Sequence, residues 1–431
     1  MEIKKIYIKF NNLIRGNKKF LSGTFWSATE SFASPAFLFL LTPILISNIG
    51  IERYGVFIFI TTLSAFFSFA GLGMNTAVTY EIAKKLTASN LHELRIIFSA
   101  ALVMTLVGTL FFSAFILLIC LAVAFNIIPD YFNWNLNFRF IPLVILILIF
   151  SQIDSILSAS LKGLHQFKFS SIAELFIRLF NLTLIALVAF FSKDIYLVLS
   201  AVIICSVTSV IVRYFFLRNF IKFIFLDVKT LKKNGMHLFK VGKWMTLQNI
   251  AGNSYASLDK LIVGVFLGAS QLGAYSILTM FAQLIHFIPA SMLTFVMPKV
   301  AMQNGCMSAS SFKKLSLVSL LISFSISILL VIFKTFIFSH FLLNIEYIPA
   351  FYLILLSYFL LSLSAPSFYI AIAMNMSKFI SFVSIASAVL GISVMIYFIE
   401  KYGFFSVAAA RLIYSIVTLS YIYLVLRALR K

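Results

Sequence analysis

Residues Ser254–Tyr275 read SYASLDKLIVGVFLGASQLGAY, an apolar stretch that contains an adjacent acid and base, Asp259 and Lys260. On insertion scales a charged side chain at the centre of a bilayer costs about 3 kcal/mol, so charges at that depth usually have a partner or a function. The run then reaches two glycines, Gly268 and Gly273, which favour a tight turn after a helix. Whether this stretch crosses a membrane therefore decides the fold.

The composition of the chain is that of a membrane protein. Hydrophobic residues make up 62% of the 431 residues and charged residues only 11%, whereas soluble domains are about 25% charged. A transmembrane helix needs about 20 mostly apolar residues. We predict an all-α integral membrane protein with twelve transmembrane helices, beginning near Leu21, Val56, Ile96, Ile141, Ser171, Ile195, Val241, Ala274, Leu315, Pro349, Ile380 and Phe405.

The net charge of +21 is concentrated on one side of these predicted spans. We assign 26 of the 34 Lys and Arg residues to that side, including eight from Arg213 to Lys243, and five to the other side. This asymmetry follows the positive-inside rule, so it predicts that both termini are cytoplasmic. The rule accounts for the basic charge, and no nucleic-acid partner is expected.

A basic segment in the middle of the chain separates two sets of six spans. We predict an N-terminal six-helix bundle over residues 1–217, a cytoplasmic amphipathic linker over 218–240 and a C-terminal six-helix bundle over 241–431. Because six is an even number, the two bundles would insert in the same orientation. They would then be related by a pseudo-two-fold axis along the membrane normal, as in some transporters.

An internal repeat supports this division. A shift of 218 residues brings identical residues into register, and the most informative pairs are Trp26 with Trp244, Gly50 with Gly268 and Gly55 with Gly273. The stretch NIGIERYGVF in the first half therefore corresponds to FLGASQLGAY in the second. Each is predicted to close the first external loop of its half, where glycine permits the turn between antiparallel spans.

Four motifs give the chain a resemblance to a known superfamily. They are IGIERYGVF after the first predicted span, LDKLIVGVFLG in the seventh, LKGLHQFKFSS between the fourth and fifth, and EKYGFFSVAAARL at the start of the twelfth. On these motifs the chain resembles the multidrug/oligosaccharidyl-lipid/polysaccharide (MOP) exporters, and within them the Wzx-type O-antigen flippases. Ser406 is a departure, because the family usually has glycine at that position. Substrate identity does not carry over from the resemblance.

The resemblance implies a flippase of the bacterial inner (cytoplasmic) membrane. Its substrate would be a polyprenyl-pyrophosphate-linked oligosaccharide, a repeat unit of O-antigen or a related surface polysaccharide. Because about 30 Å of hydrocarbon would leave the sugar head unsolvated, the protein must supply a polar cleft that opens alternately to each side. The expected partners are this substrate, membrane lipids, a polysaccharide polymerase and a chain-length regulator. No cofactor is expected except a coupling ion, H+ or Na+.

Polar and charged residues inside the spans are the candidate site. Gln248, Asn253 and Asp259 belong to one small or polar stripe of the seventh span, and Glu30 belongs to a matching stripe of the first. Such stripes suit a cleft, although polar contacts between packed helices would produce them as well. We assign substrate binding to Arg178, Lys260, Arg411, Gln248 and Asn253, since Arg and Lys bind phosphate. Ion coupling is assigned to Glu30, Asp154, Glu174 and Asp259.

Several of these residues have a structural alternative. Glu174 and Arg178 are four residues apart and so are expected to pair with each other. Asp259 could be the counter-ion of a neighbouring Lys or Arg. The long basic side chains could extend to the interface instead of lining a cleft. His286 is interpreted as an interior residue rather than a titrating one.

The sequence does not suggest an enzyme. It has no glycine-rich phosphate loop, no HExxH and no G-x-S-x-G motif, so neither catalytic nor metal-binding residues are predicted. Two alternatives remain: an ion-coupled multidrug antiporter of the same superfamily, and a membrane-embedded polysaccharide polymerase. A polymerase would be expected to carry a large external loop, and the longest one predicted here is short. An antiporter would be expected to use acidic residues, whereas the charges inside these spans are mixed.

Overall fold

A computed structural model describes residues 18–67, 71, 73–86, 91–124, 140–294, 309–341, 343–374 and 376–429. Within these ranges the chain is helical and contains no strand. The helices are α1 Lys18–Phe66, α2 Met74–Leu86, α3 Leu91–Ala124, α4 Phe140–Gly163, α5 Phe167–Ser192, α6 Ile195–Leu217, α7 Val228–Leu267, α8 Ala269–Thr294, α9 Ala309–Ile332, α10 Lys334–His340, α11 Ile348–Ala373, α12 Ser377–Tyr402, α13 Phe404–Thr418 and α14 Ser420–Leu429.

The described residues contain 10 helical segments that are long and apolar enough to cross a membrane. A multi-span membrane protein is therefore confirmed, while the count of twelve stays a prediction. The first segment, Pro35–Phe66, runs through the positions predicted as the end of span one and the first part of span two. The predicted span seven falls within α7, where several side chains lie outside the described part of the chain.

The helix breaks at the two repeated glycines are present in the structure, while their place in external loops stays a prediction. Gly50 interrupts α1 with φ +81°, and Gly268 separates α7 from α8 with φ +87°. Positive φ is disfavoured for residues with a Cβ atom, so glycine is the residue suited to these two bends.

Contacts between helices group the described residues into two compact units. The first unit takes its residues from 1–44, 67–120 and 141–246, and the second from 45–66, 121–140 and 247–431. This grouping differs from the division predicted at residues 217 and 241. The predicted linker packs with the first unit, and the part of α1 after Ile44 packs with the second.

Inside the second unit, the two glycine repeats contact each other reciprocally. A Cβ atom on Gly55 would overlap the carbonyl oxygen of Ala269, and one on Gly273 would lie 2.5 Å from the carbonyl oxygen of Ile51. Gly273 is the 218-residue counterpart of Gly55, and Ala269 is the counterpart of Ile51. The two helices approach backbone to backbone here because neither glycine has a side chain.

Candidate functional site

The first unit contains a network of four charged side chains on three helices, of which Arg213 and Glu174 are buried. Arg213 on α6 lies between two carboxylates: its Nε is 2.7 Å from Oδ1 of Asp154 on α4, and its terminal nitrogen donates to Glu174 on α5. Glu174 also accepts a bond of 2.8 Å from Nε of Arg178. The hydroxyl of Ser209 donates to Asp154. Two acids and two bases therefore balance within the network.

This network confirms one expectation and corrects another. Glu174 and Arg178 form the predicted pair one helical turn apart. Arg213, which the charge count places in a cytoplasmic segment, lies instead within α6, where its side chain is 3% exposed and pairs with two acids. The side of the membrane that this end of α6 faces stays a prediction. Asp154, which has no partner nearby in sequence, obtains one from Arg213, 59 residues further along the chain.

Arg178 is the most accessible member of the network. Its side chain is one-third exposed, against 10% for Glu174, and its guanidinium lies 5.7 Å from the ring centroid of Phe37. Its bond to Glu174 uses Nε, which leaves the two terminal nitrogens outside that bond. Among these residues, Arg178 is the one placed to contact a ligand without breaking a buried ion pair.

A second buried cluster lies in the second unit and centres on Asp259 and Arg411. Nη1 of Arg411 on α13 is 2.6 Å from Oδ2 of Asp259 on α7 and 2.8 Å from the hydroxyl of Tyr275 on α8. Tyr275 in turn donates to the same carboxylate oxygen at 2.7 Å. Nη2 of Arg411 donates at 2.5 Å to the hydroxyl of Tyr358 on α11, and the guanidinium lies 4.4 Å from that ring's centroid.

Asp259 is fully buried and Arg411 is buried with it, so this ion pair lies in the interior of the second unit. The possibility that Asp259 neutralises a neighbouring base is confirmed, and its partner is Arg411. Three hydrogen bonds hold the guanidinium of Arg411 in place. In this arrangement Arg411 binds other residues of the protein and not a ligand. The sequence identified both charged residues but missed Tyr275 and Tyr358, since nothing in the sequence links these tyrosines to an arginine on another helix.

Further aromatic and polar side chains adjoin this cluster. Tyr255, one turn before Asp259, stacks on Tyr414 with ring centroids 4.1 Å apart and planes within 7°. Gly391 lies under the Tyr255 ring, where a Cβ atom would be 2.8 Å from a ring carbon. The hydroxyl of Tyr255 and Nδ1 of His286 are buried without a hydrogen-bond partner among the described residues.

Lys260 differs from its neighbour. Its backbone N–H donates to Oδ1 of Asp259 at 2.7 Å, but its side chain forms no ion pair with any described residue. The side chain is half-buried. Adjacent residues point about 100° apart on a helix, which explains why Asp259 meets Arg411 and Lys260 does not share that pair. Asp259, Lys260 and Arg411 together are one acid and two bases.

Three candidate residues cannot be placed in these clusters. The side chains of Glu30, Gln248 and Asn253 lie outside the described part of the structure, so their assignments stay predictions. Within the described residues, no group of three His, Cys, Asp or Glu side chains could hold a metal ion.

Two solved structures with the same fold are transporters. The chain matches a ligand complex of the MATE multidrug transporter DinF-BH, with a TM-score of 0.63 and 16% identity over 94% of this chain and 95% of that one. It also matches the inward-facing conformation of a multidrug resistance MATE family transporter of the MOP superfamily, with a TM-score of 0.65 and 14% identity over 92% and 95% of the two chains. At these identities the likeness shows the fold alone.

Sequence comparison identifies the family of the chain. A provisionally named O-antigen transporter of Shigella flexneri is 25% identical over 375 residues, which cover 84% of this chain and 86% of that protein. Residues 20–302 match the family described as "Polysaccharide biosynthesis protein". Since this match spans well over half of the chain, the protein belongs to the polysaccharide biosynthesis protein family and has the fold of the MOP-superfamily transporters.

Proposed function

We propose that the protein is a flippase that moves polyprenyl-pyrophosphate-linked oligosaccharide repeat units from the inner to the outer leaflet of the bacterial inner membrane. The observation that carries the proposal is the set of charged residues at Asp259 and Arg411, where one acid stands beside two bases and the Lys260 side chain forms no ion pair with a described residue. An excess of bases suits a pyrophosphate, because ammonium and guanidinium groups form charge-assisted hydrogen bonds with phosphate. Family membership and the relative from Shigella flexneri support this substrate class.

The transport cycle we propose is alternating access between two six-helix bundles, with twelve spans and both termini in the cytoplasm. The reciprocal approach of Gly55 and Gly273 to the turns of the opposite repeat supports a two-fold relation between the halves. In this cycle the polar cleft accepts the sugar head, while the polyprenyl chain stays in the bilayer. A polymerase and a chain-length regulator would act on the product at the outer surface.

We assign roles to the site residues according to their contacts. Lys260 and Arg178 contact the pyrophosphate and the sugar, because each has side-chain donors outside the bonds described above. Gln248 and Asn253 bind sugar hydroxyls. Arg411 contacts the substrate only when its ion pair with Asp259 breaks. Protonation of Asp259 by the coupling proton would break this pair. Glu30, Asp154 and Glu174 remain candidates for coupling to H+ or Na+.

The competing function is an ion-coupled multidrug antiporter, which the fold of the MATE structures favours. A cationic drug would need an excess of acid at its site. The two clusters among the described residues offer a balance of charge in the first unit and an excess of base in the second. A membrane-embedded polymerase has no supporting observation in the described structure.

The test is deletion of the gene followed by complementation. We expect the deletion strain to lose surface polysaccharide and to accumulate single lipid-linked repeat units on the inner leaflet. Lys260→Ala should fail to complement at normal protein level, while Lys260→Arg should restore part of the polysaccharide. Lys314→Ala, at an exposed lysine near the start of α9, is the matched control and should complement fully.

Two outcomes would reject the proposal. Lipid-linked units that reach the outer leaflet but stay unpolymerised would indicate a polymerase. Full polysaccharide in the deletion strain, together with increased sensitivity to cationic drugs, would indicate an antiporter.

A further inference from the structure

The segment that joins the two halves presents a row of lysines to its surroundings. The helix α7 begins with a capped turn, in which Oδ2 of Asp227 accepts the N–H of Thr230 at 3.1 Å. At 100° per residue, the four lysines of the first turns of α7 lie within an arc of about 100°. A fifth lysine precedes the helix, and all five are exposed; this basic face consists of Lys222, Lys229, Lys232, Lys233 and Lys240.

Large apolar side chains are exposed beside the lysines. Phe225 is 95% exposed and Val228 is 79% exposed, and Met236 and Phe239 are exposed on the same helix. In water this arrangement would be unfavourable. At a membrane surface it is favourable, because apolar side chains enter the acyl boundary while lysine stems carry their charges out to the headgroups.

The side of the segment opposite the basic face packs against the first unit. Leu238, on the opposite side of the helix, is 1% exposed in a core cluster of that unit. A Cβ atom on Gly235 would be 2.7 Å from the side chain of Met104, so the helix lies close against α3. Before the helix, the N–H of Ile224 donates to the hydroxyl of Ser99 at 2.9 Å. These contacts fix which side of the segment packs and which side remains available.

The charge of the face is not neutralised within the described residues. None of the five lysines forms an ion pair there. Asp227 is the nearest acid in sequence, and its hydrogen bond with Thr230 holds the pKa of its carboxyl below the ordinary value, so it is ionised at neutral pH. With Asp227 included, the five lysines still leave an excess of four positive charges.

We propose that the basic face binds the anionic phospholipid headgroups of the cytoplasmic leaflet, with phosphatidylglycerol as the probe ligand. The predicted cytoplasmic position places the face at that leaflet, and its charge is complementary to the phosphodiester. Lysines near an anionic surface each strengthen binding by roughly five-fold, and this attraction falls off within a Debye length. The inference goes beyond the proposed function, since it does not depend on which substrate crosses the membrane.

The test is a titration of the purified full-length protein with phosphatidylglycerol in detergent, followed by native mass spectrometry. Lys232→Gln with Lys233→Gln removes two charges from the face. The matched control is Lys313→Gln with Lys314→Gln, another pair of adjacent exposed lysines, near the start of α9 on the predicted cytoplasmic side. We expect phosphatidylglycerol binding to weaken by at least about five-fold in the first variant and by less than about two-fold in the control. Phosphatidylcholine binding should not change in either.

The outcomes separate this surface from its alternatives. Equal weakening in both variants would mean a diffuse charge effect and would overturn the proposal. Unchanged binding in both the first variant and Lys222→Gln with Lys240→Gln would show that anionic lipid does not occupy the face. Displacement of phosphatidylglycerol by micromolar inorganic pyrophosphate would reassign the lysines to the transported substrate.

Discussion

The buried pair between Asp259 and Arg411 should be strongly coupled in the folding energy of the protein. Asp259→Asn keeps the shape of the side chain but leaves the guanidinium without a counter-ion, with Tyr275 and Tyr358 as its remaining polar contacts. Removing one partner of a buried ion pair costs about 3–5 kcal/mol. Replacing both partners is often nearly neutral, because no uncompensated charge is left inside.

A double-mutant cycle measures this coupling. The variants are Asp259→Asn, Arg411→Met and their combination, and unfolding is followed by circular dichroism in mixed micelles of rising SDS fraction. We expect each single variant to be less stable than the double variant, with an interaction energy of about 2 kcal/mol or more, near the upper part of the usual range for contacting residues. The matched control is the exposed pair of Lys85 and Glu93, whose nitrogen and oxygen are 2.8 Å apart. The interaction energy of Lys85 and Glu93 should equal zero within experimental error, because water screens exposed ion pairs.

The reasoning would be refuted by additive effects of the two substitutions. Additivity would mean that Asp259 and Arg411 do not stabilise each other, whatever their separation. If the double variant folds as expected, its transport activity then tests the coupling role separately. A folded double variant with full transport would remove Asp259 from ion coupling and leave the pair with a structural role only.

Two further predictions concern topology and packing. A cysteine introduced at Ser270, which is exposed next to the turn after α7, should be labelled from outside the cell by an impermeant thiol reagent, while one at Ser310 should be labelled only after lysis; labelling of both on one side would refute the predicted topology. Gly55→Ala should lower thermal stability much more than Gly268→Ala, because the new Cβ atom at Gly55 would overlap the carbonyl of Ala269. The Cβ atom at Gly268 meets nothing within 4 Å and costs about 1 kcal/mol of backbone strain. Equal melting temperatures in a fluorescence thermal-shift assay would contradict the glycine contact.

The spans and turns could be predicted because they depend on local sequence. Apolar runs of sufficient length fix most of the helices, and the fourth predicted span, which begins near Ile141, corresponds to α4 from Phe140. The turn at Gly268 was predicted from glycine chemistry and the internal repeat. The ion pair between Glu174 and Arg178 followed from a spacing of one helical turn.

The contacts between distant helices could not be predicted in the same way. Arg411 meets Asp259 across 152 residues of chain, and no periodicity in a single sequence connects two such positions. The basic stretch from Arg213 to Lys243 predicts a cytoplasmic segment, whereas Arg213 lies within α6, one turn before its end at Leu217, and pairs with two acids. A lone basic residue near a helix end is compatible both with a solvent-exposed loop charge and with a buried ion pair until the neighbouring helices are known.

The two charged clusters have different charge balances, and this difference bears on what the protein can carry. In the first unit, two carboxylates balance Arg178 and Arg213, so a ligand there can add bonds only at the terminal nitrogens of Arg178. In the second unit, Asp259 is bound by Arg411 and Tyr275, which leaves Lys260 as the base without an ion-pair partner among the described residues. A drug cation entering the second unit would find a single acid, Asp259, which is already paired with Arg411. A pyrophosphate would gain a partner in Lys260 without breaking the buried pair, and for this reason the MATE-like fold alone does not make this chain a drug transporter.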